Sequence, residues 1–415
     1  MYAFVSIIIS LAALIVLLRL KVKIGLAMVV SACLLAVLLG VWPWDAGRAL
    51  IEEWRSEPLT RTTVYLFISL TALVLLVNVI GAAMEEIGIS KRLVPAMHGL
   101  FKSRRFALAM IPMLMGMLPT PGGIMLSAPM VREAGDKIGV ERSRLAAINF
   151  LFRHQMEPVW PLYPVIPLVQ SLLGVSALTV FSYHIVLTGA ALLCGVIVLL
   201  LFGIPSQRPE HPQPERRIGH SLRHFLHAFW PIALTAGLYV IFDVPPAVGI
   251  LLAIIGLLVM HKVPFKRWAD VFKAAREPDM VLLIFGALFF KLNLEAGEAI
   301  GSVVEFLASA HVPIPVLIFL LPMLVGFATG VTMPTVAITY PFLLAFIGTG
   351  SYVNMGLESL AFAGVLFGLW LTPVHLCIAL SAGYFQTSLL KIISKLFLPT
   401  AGMAAAAILL ALFLS

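Results

Sequence analysis

Charged residues are scarce in this chain, where Asp, Glu, Lys and Arg together make up only 12% of 415 residues. An average soluble domain is about one quarter charged, so a soluble fold of ordinary composition is excluded. Hydrophobic residues reach 61% and the mean hydropathy is +1.04. Many apolar runs exceed the roughly 18 residues that define a membrane span. The composition therefore predicts an all-α polytopic membrane protein.

Cysteines and catalytic motifs are also few. Cys33, Cys194 and Cys377 stand in separate apolar runs without a CxxC spacing, so we interpret them as small core residues, neither a disulfide framework nor a metal site. The catalytic motifs GxSxG and HExxH are missing. An intramembrane, lipid-processing enzyme is therefore an alternative that no catalytic motif in the sequence supports. The P-loop motif is missing as well, which argues against ATP-driven transport. We expect no cofactor other than a coupling sodium ion.

The net charge of +8 comes mostly from Lys and Arg in the loops between apolar runs. Basic loops mark the cytoplasmic side of a membrane, so this charge is a topology signal and not a nucleic-acid surface. With the basic turn at 19–23 inside, the loops at 91–105, 132–144, 204–223, 261–278 and 391–395 also fall inside. This predicts a prokaryotic cytoplasmic (inner) membrane protein with both termini outside. The run from Ala3 to Leu18 is expected to be a first span and not a cleaved leader.

The apolar runs follow the same order in two halves of the chain. The first half, 1–203, contains spans 1 to 3, a hairpin at 106–131, a broken span at 145–173 and a closing span at 178–202. A cytoplasmic linker at 204–224 separates it from the second half, 225–415, with spans 7 to 9, a hairpin at 314–347, a broken span at 357–389 and a last span at 392–414. Because span 1 runs inward and span 7 outward, we predict two inverted repeats with about ten transmembrane helices and two re-entrant hairpins.

Two interrupted apolar stretches stand at matching places in these halves. They are IPMLMGMLPTPGGIMLSAP, from Ile111 to Pro129, and LPMLVGFATGVTMPTVAITYP, from Leu321 to Pro341. Both carry the pattern PMLxG and then break on Pro, Gly and Thr, which free backbone polar groups within the membrane. The first has basic flanks on both sides, which favours a hairpin that returns to the cytoplasm. Paired interruptions are the best sequence pointer to a transporter's binding site.

Further breaks are expected beside the hairpin tips, at Glu157-Pro158 and Thr372-Pro373. The candidate substrate- and ion-binding residues at these tips and breaks are Thr120, Pro121, Gly122, Gly123, Ser127, Arg153, Glu157, Pro158, Thr329, Gly330, Thr332, Thr335, Thr372, Pro373 and His375, with Asn78 and Asn293 in spans 3 and 9. Sodium is predicted near Gly122, Gly123, Glu157, Thr329 and Thr332. Alternatively, the small and hydroxylated residues only let helices pack closely.

Arg153, His154 and Glu157 form an ionisable cluster in an apolar run. A charge at membrane depth costs about 2.5 to 3.5 kcal/mol on insertion scales, which suggests pairing or function. In the functional interpretation Arg153 binds a substrate anion, and Glu157 or His154 carries a proton or binds a cation. In the structural interpretation Arg153 and Glu157 pair four residues apart on one helix face. Lys291 in span 9 is expected to snorkel to the outer surface.

The paired hairpins and broken spans resemble the ion transporter superfamily, which includes dicarboxylate–sodium symporters, citrate and gluconate permeases and arsenite permeases. Within it the chain looks most like an uncharacterised bacterial and archaeal membrane family defined only as a domain of unknown function. The matching stretches are PMLMGMLPTPGGIMLSAP (112–129), MEPVWPLYP (156–164) and GFATGVTMPTVAITYP (326–341). The sodium–dicarboxylate members carry Ser-Asn-Thr at their hairpin tips, whereas both tips here lack the asparagine. The resemblance implies a homodimer with a fixed scaffold and an elevator domain of hairpins and broken spans.

These features predict a secondary active transporter for a small, carboxylate-like organic anion, coupled to sodium or protons. Oxyanion efflux or cation–proton antiport would keep the fold and change the cargo. The expected partners are a small solute or ion, the lipid bilayer and a second copy of the chain, without nucleic acid.

Overall fold

The computed structural model describes residues 2–88, 103–117, 124–202, 204, 218–309 and 313–414. Within these ranges the regular elements are helices, and none of the described residues forms a strand. The prediction of an all-α protein is confirmed.

Among the described residues the first half contains nine helices, of which the third is amphipathic. Its helices are α1 (Tyr2–Arg19), α2 (Ile24–Leu39), α3 (Pro43–Ser56), α4 (Thr63–Glu86), α5 (Arg104–Gly116), α6 (Ile124–Asp136), α7 (Arg142–His154), α8 (Val165–Leu173) and α9 (Ala177–Gly195), which a π-helical segment extends over Val196–Leu201.

Within the described residues, the second half repeats this order and includes one further helix, α14. Its helices are α10 (Ile218–Phe242), α11 (Pro246–Met260), α12 (Phe265–Phe272), α13 (Pro278–Ala296), α14 (Ala299–Ser309), α15 (Ile314–Thr329), α16 (Thr332–Ile347), α17 (Met355–Leu371), α18 (Leu376–Phe385) and α19 (Leu389–Leu414). Helix α10 begins inside the predicted linker, because the His- and Arg-containing residues from Ile218 onward extend the helix beyond its apolar part.

Among the described residues, five helical segments are long and apolar enough to cross a membrane, or seven if two bent helix pairs each count as one span. The five are α1, α4, α9 with its π-helical extension, α17 with α18, and α19. Large apolar side chains remain exposed on such helices, for example Phe202 and Phe413, which suits contact with lipid. The chain thus has the character of a multi-pass membrane protein.

Helix α3 is an amphipathic surface helix, in which charges of both signs alternate with apolar residues. It bends by 101° from α2 and buries none of its residues. Trp42 and Trp44 stack at its start with ring centroids 5.1 Å apart, and the Asp45 carboxylate accepts a hydrogen bond from the Trp42 amide at 3.0 Å. Exposed tryptophans beside charged residues are typical of a membrane interface.

Glycines allow close contact in one group of helices, in which α2 packs on α13 and α4 packs on α11. A Cβ on Gly25 would lie 2.2 Å from the Asp279 carbonyl oxygen, and one on Gly286 would lie 2.8 Å from the Val29 amide. Small residues let two backbones approach and gain dispersion contact where lipid offers no hydrophobic driving force. We name this group, α1, α2, α4, α10, α11 and α13, the scaffold group.

The PMLxG pattern has a matching structural role in both halves. Helix α5 packs on α7, and α15 packs on α17. A Cβ on Gly116 would lie 2.0 Å from the Arg153 carbonyl oxygen, and one on Gly326 would lie 2.8 Å from the Val365 carbonyl oxygen. The glycine of each pattern therefore permits the first helix of a hairpin to touch the first helix of a broken span.

The second interrupted stretch folds as a helical hairpin, in which α15 and α16 pack on each other around Gly330 and Val331. Both predicted broken spans are interrupted as expected, between α7 and α8 at 155–164 and between α17 and α18 at 372–375. The arms of the first hairpin, α5 and α6, also pack together. Its tip at 118–123 lies outside the described residues.

Candidate solute-binding site between the broken helices

The second hairpin tip and the second break are joined directly. His375 Nδ1 donates to the Gly330 carbonyl at 2.8 Å, and the Thr372 hydroxyl donates to the Phe327 carbonyl at 2.6 Å. Gly330 has a φ of +67°, and a Cβ there would lie 3.2 Å from the His375 amide nitrogen. Glycine is thus required both for the left-handed turn and for the approach of the second break.

The first break holds the end of α5 through three side-chain donors. Arg153 Nη1 donates to Met115 O at 3.0 Å, the Tyr163 hydroxyl to Gly116 O at 2.9 Å, and Trp160 Nε1 to Met117 O at 2.9 Å. The last carbonyls of a helix lack partners within the helix, and in a membrane their solvation must come from the protein. Sequence reasoning missed Trp160 and Tyr163, although polar aromatic groups inside the proline-rich MEPVWPLYP stretch were a usable signal.

Glu157 lies in the turn after α7 and is only 4% exposed. Thr332, at the start of α16, and Trp370, at the end of α17, face its carboxylate. These two side chains do not complete the hydrogen bonding of the carboxylate. Among the described residues, Glu157 Oε2 is buried without a hydrogen-bond partner, and so is Trp370 Nε1. The described part of the chain also shows no ion pair between Arg153 and Glu157, and Arg153 instead caps α5.

The threonines of the second tip mostly bond to their own segment. The Thr329 and Thr335 hydroxyls lie 2.9 Å apart, and Thr335 also donates to the Val331 carbonyl at 2.8 Å. Thr339 donates to the Thr335 carbonyl at 2.7 Å. These bonds fix the shape of the tip and leave Thr332 as the hydroxyl that faces Glu157.

The described part of the first hairpin is bound to the first broken span. Ser127 donates to Asn149 Oδ1 at 2.6 Å, and Asn149 Nδ2 donates to the Ile124 carbonyl at 3.2 Å. Sequence reasoning missed Asn149, which a polar residue in the apolar run before Arg153 could have revealed. Four predicted site residues, Thr120, Pro121, Gly122 and Gly123, lie outside the described residues, so their part in the site, and the sodium position they would share with Glu157, Thr329 and Thr332, stay predictions.

The asparagines predicted as polar contacts lie on the scaffold group. Asn293 on α13 donates to the Ala32 carbonyl of α2 at 2.9 Å, and Asn78 is half-buried on α4. Asn293 thus joins two scaffold helices, and the structure does not bring it to the hairpin tips. Its role as a solute contact stays a prediction, as does that of Asn78.

Lys291 does not snorkel to solvent, so that expectation is wrong. Its ammonium is buried between the Glu53 carboxylate of α3, at 3.0 Å, and the Glu295 carboxylate, at 2.9 Å. Glu53 also accepts from the Thr63 amide at 2.8 Å. Burial raises the pKa of the Glu53 carboxyl, but the Lys291 charge and the Thr63 hydrogen bonds outweigh it and hold that pKa below its ordinary value.

A cluster of two histidines and one cysteine lies where the two breaks meet. His154 Nε2 and His375 Nε2 are 3.3 Å apart, and the Cys377 thiol lies within 4.8 Å of both rings' ligand atoms. His154 ends α7, whereas His375 and Cys377 lie at the start of α18. The cluster therefore joins one broken span to the other.

A second buried polar network joins the halves next to the first break. His184 on α9 contacts the Glu358 carboxylate of α17 at 2.9 Å, and the Tyr340 hydroxyl of α16 donates to the same carboxylate at 2.9 Å. The other ring nitrogen of His184 donates to the Pro158 carbonyl at 2.7 Å. Sequence reasoning missed all three side chains, although an acid within the apolar run of α17 is a membrane-depth signal.

A polar cavity of about 550 Å³ lies on the side of α3. Arg48, Glu53, Lys291 and Glu295 line one wall, on helices α3 and α13, and Leu172 and Leu344 line the other, on α8 and α16. The cavity thus lies between the scaffold group with its surface helix and the helices of the broken spans and hairpins.

A search of the curated proteins found no match to this chain. A family model matches nearly the whole sequence, from residue 4 to residue 414. The chain therefore belongs to the family described as "Protein of unknown function (DUF401)".

Proposed function

We propose that this protein is a secondary active transporter that carries a small organic anion across the membrane, coupled to sodium or protons. The observation that carries the proposal is the convergence of helix ends at one buried place. Helices α7, α15 and α17 end there, and α16 and α18 begin there, around Glu157, His375 and Thr332. Discontinuous helices that end inside a membrane protein are the usual means of solvating a solute and its coupling ion.

The helix polarity supports an anion next to a cation. The N-termini of α16 and α18 bring partial positive charge to this place, and the ends of α7, α15 and α17 bring carbonyl groups. Arg153 adds a positive side chain that is only 5% exposed. A carboxylate-like solute near the N-termini and a cation near the carbonyl ends would use both features.

The proposal includes two inverted repeats. The element order of the halves matches, and so do their contacts: α5 packs on α7 as α15 packs on α17, and α6 packs on α18 as α16 packs on α8. In the scaffold group α2 packs on α13 as α11 packs on α4. Each of these helix contacts thus has a counterpart in which the two halves have changed places. A pseudo-twofold axis in the membrane plane would produce this relation.

An elevator mechanism follows from this division. The hairpins and broken spans would move as one body, with the scaffold group fixed in a homodimer in the prokaryotic inner membrane. The polar cavity beside α3 lies along the boundary between the two bodies and offers the solute a path from the predicted outer side. In the proposed topology both termini are on that outer side.

Glu157 is proposed as the coupling group. Its Oε2 is buried without a hydrogen-bond partner among the described residues, so a proton or a sodium ion bound there would give this oxygen the partner that none of the described side chains supplies. Binding of that ion would neutralise the carboxylate before the loaded site moves through the membrane.

The test is counterflow in proteoliposomes. Vesicles loaded with one unlabelled carboxylate from a panel are expected to accumulate the labelled solute, with uptake that depends on a sodium or proton gradient. Glu157→Gln is expected to retain exchange and lose the dependence on the gradient. Glu305→Gln, which alters an exposed carboxylate on α14, is the matched control and should behave as wild type.

Cation–proton antiport is the second candidate, favoured by the uncompensated carboxylate of Glu157. It predicts no counterflow with any anion but proton release on addition of a cation. Oxyanion efflux is distinguished by including oxyanions in the panel. An intramembrane enzyme would act through Cys377 with His154 or His375 and would consume a lipid substrate without any solute flux.

A further inference from the structure

The proton positions on His154 and His375 are fixed by their neighbours. His154 Nδ1 lies 2.8 Å from the Phe150 carbonyl oxygen, and His375 Nδ1 lies 2.8 Å from the Gly330 carbonyl oxygen. A carbonyl oxygen only accepts, so each Nδ1 carries the hydrogen. In the neutral rings both Nε2 atoms then present lone pairs, and they face each other at 3.3 Å. Two lone pairs at this distance repel unless something positive lies between them.

Either a proton or a metal ion could supply the positive charge between the two Nε2 lone pairs. A shared proton makes one ring an imidazolium and adds one positive charge. A divalent ion bound by two neutral imidazoles and the thiolate of Cys377 also adds one positive charge, because the thiol releases its proton to solvent when the metal binds. The net charge therefore does not decide between them, and the number and geometry of the ligands do.

The geometry points to a metal ion. Two ligands bound at about 2.05 Å to a tetrahedral zinc ion lie about 3.3 Å from each other, which is the separation of the two Nε2 atoms. The Cys377 sulfur lies within 4.8 Å of a ring nitrogen of each histidine, which brings it close enough to serve as a third ligand. A shared proton would involve only the two Nε2 atoms and would not engage the Cys377 thiol.

The surroundings of the rings have the form expected of metal ligands. Histidines that bind metals usually donate their second N–H to a carbonyl or carboxylate, which fixes the tautomer and aims the ring. Both histidines do so here, and Phe150 further holds the His154 ring in a stacked contact with centroids 4.3 Å apart. A set of two imidazoles and one thiolate suits Zn²⁺ and does not suit Mg²⁺ or Ca²⁺, which prefer oxygen ligands.

We propose that His154 Nε2, His375 Nε2 and Cys377 Sγ together bind one Zn²⁺-class ion, with a fourth position open to water or a solute. The ion ties the end of α7 in the first half to the start of α18 in the second, beside the Gly330 turn. This reverses the sequence-based interpretation of Cys377 as a core residue. The proposal does not depend on which solute, if any, the protein transports.

The experiment titrates the full-length protein in detergent with Co²⁺ as a spectroscopic probe for Zn²⁺. Tetrahedral Co²⁺ with a thiolate ligand is expected to give visible d–d bands and a near-ultraviolet sulfur-to-cobalt band at one equivalent per chain, and Zn²⁺ should abolish them. Cys377→Ser should remove the sulfur-to-cobalt band. Loss of a hydrogen bond to a metal-binding histidine already lowers metal affinity by about tenfold or more. Loss of the histidine itself, in His154→Gln or His375→Gln, should therefore weaken Zn²⁺ binding by more than about tenfold.

The chain supplies its own matched controls. Cys33→Ser and Cys194→Ser alter the other two free cysteines and should leave the spectrum unchanged. His227 and His261 form a more exposed pair with Nε2 atoms 3.1 Å apart, and replacing both with Asn should also preserve the sulfur-to-cobalt band. A band that survives Cys377→Ser, or Zn²⁺ binding lost only with His227 and His261, would overturn the proposal.

A further measurement leaves the three proposed ligands unchanged, so it tests the site even if the ligand variants fail to fold. In protein carrying Cys33→Ser and Cys194→Ser, Cys377 is the one remaining thiol. Zn²⁺ is expected to slow its alkylation by a small maleimide at least tenfold, whereas Mg²⁺ at the same concentration should not. Equal alkylation rates with and without Zn²⁺ would contradict the site.

Discussion

The ring of His184 and the carboxylate of Glu358 lie 2.9 Å apart, Nε2 to Oε2, and both side chains are fully buried. One comes from α9 in the first half and the other from α17 in the second. Because His184 Nδ1 already donates to the Pro158 carbonyl at 2.7 Å, the pair must hold one further proton between Nε2 and Oε2 to make this contact a hydrogen bond. The pair is then neutral as a whole, whichever atom holds that proton, which is why it is tolerated inside the membrane.

This pair should act as a unit in unfolding. We expect His184→Leu or Glu358→Leu alone to cost about 3 to 5 kcal/mol, because each leaves a buried polar partner uncompensated. The double variant should cost clearly less than the sum of the two. Thermal unfolding of the purified protein in detergent measures all three. Lys395→Ala, which removes an exposed ion pair with Glu141, should cost at most about 1 kcal/mol. Additive losses in the double variant would show that the pair is not coupled.

Gly116 should tolerate no side chain. A Cβ there would lie 2.0 Å from the Arg153 carbonyl oxygen, so Gly116→Ala must separate α5 from α7. Overpacking of this kind costs about 1 to 3 kcal/mol or more, and we expect a lower melting temperature and less folded protein. Gly237→Ala is the control, since nothing lies within 4 Å of its Cβ position. Equal stability of the two variants would refute the close contact of the hairpin with the broken span.

Tyr163→Phe tests the capping of α5 by the first break. The change keeps the ring but removes the hydroxyl that donates to the Gly116 carbonyl at 2.9 Å. A buried carbonyl left without a donor costs about 1 to 3 kcal/mol, which should appear as a lower melting temperature. Tyr183→Phe removes a hydroxyl on α9 that makes no hydrogen bond within the described residues and lines an open pocket, so it should leave the melting temperature unchanged. A loss of the same size in both variants would mean that the cap contributes nothing of its own.

The Glu53 ion pair predicts a defined pH dependence. The pKa of Glu53 is lower in the folded protein than its ordinary value, since Lys291 and Thr63 together outweigh its burial. A carboxyl with a lowered folded-state pKa stabilises the fold above its unfolded pKa of about 4.3, and this contribution is lost as the pH falls through the folded-state value. Glu53→Gln should therefore destabilise the protein at neutral pH, and the gap from wild type should narrow below about pH 5. A gap that widens on acidification would contradict the assignment. The measurement is the melting temperature of both proteins across that range.

Local sequence patterns account for the helices, the breaks and their pairing along the chain. Apolar runs of membrane length, prolines at 158, 161, 164 and 373, and the PMLxG repeat are properties of neighbouring residues. The structure confirms an all-α chain, and its described helices are separated at 155–164, 330–331 and 372–375. Glu157 was singled out by the same means, because a carboxylate just before a proline in an apolar run is conspicuous in sequence alone.

Only the tertiary structure decided which polar groups meet. His154 and His375 are 221 residues apart and His184 and Glu358 are 174 residues apart, and no periodicity predicts which donor finds which acceptor. Arg153 illustrates the reason: its sequence spacing suggested Glu157, but the close approach of Gly116 brings unsatisfied α5 carbonyls nearer. The partner of a buried polar group is set by the helix that packs against it, and that packing depends on the fold as a whole.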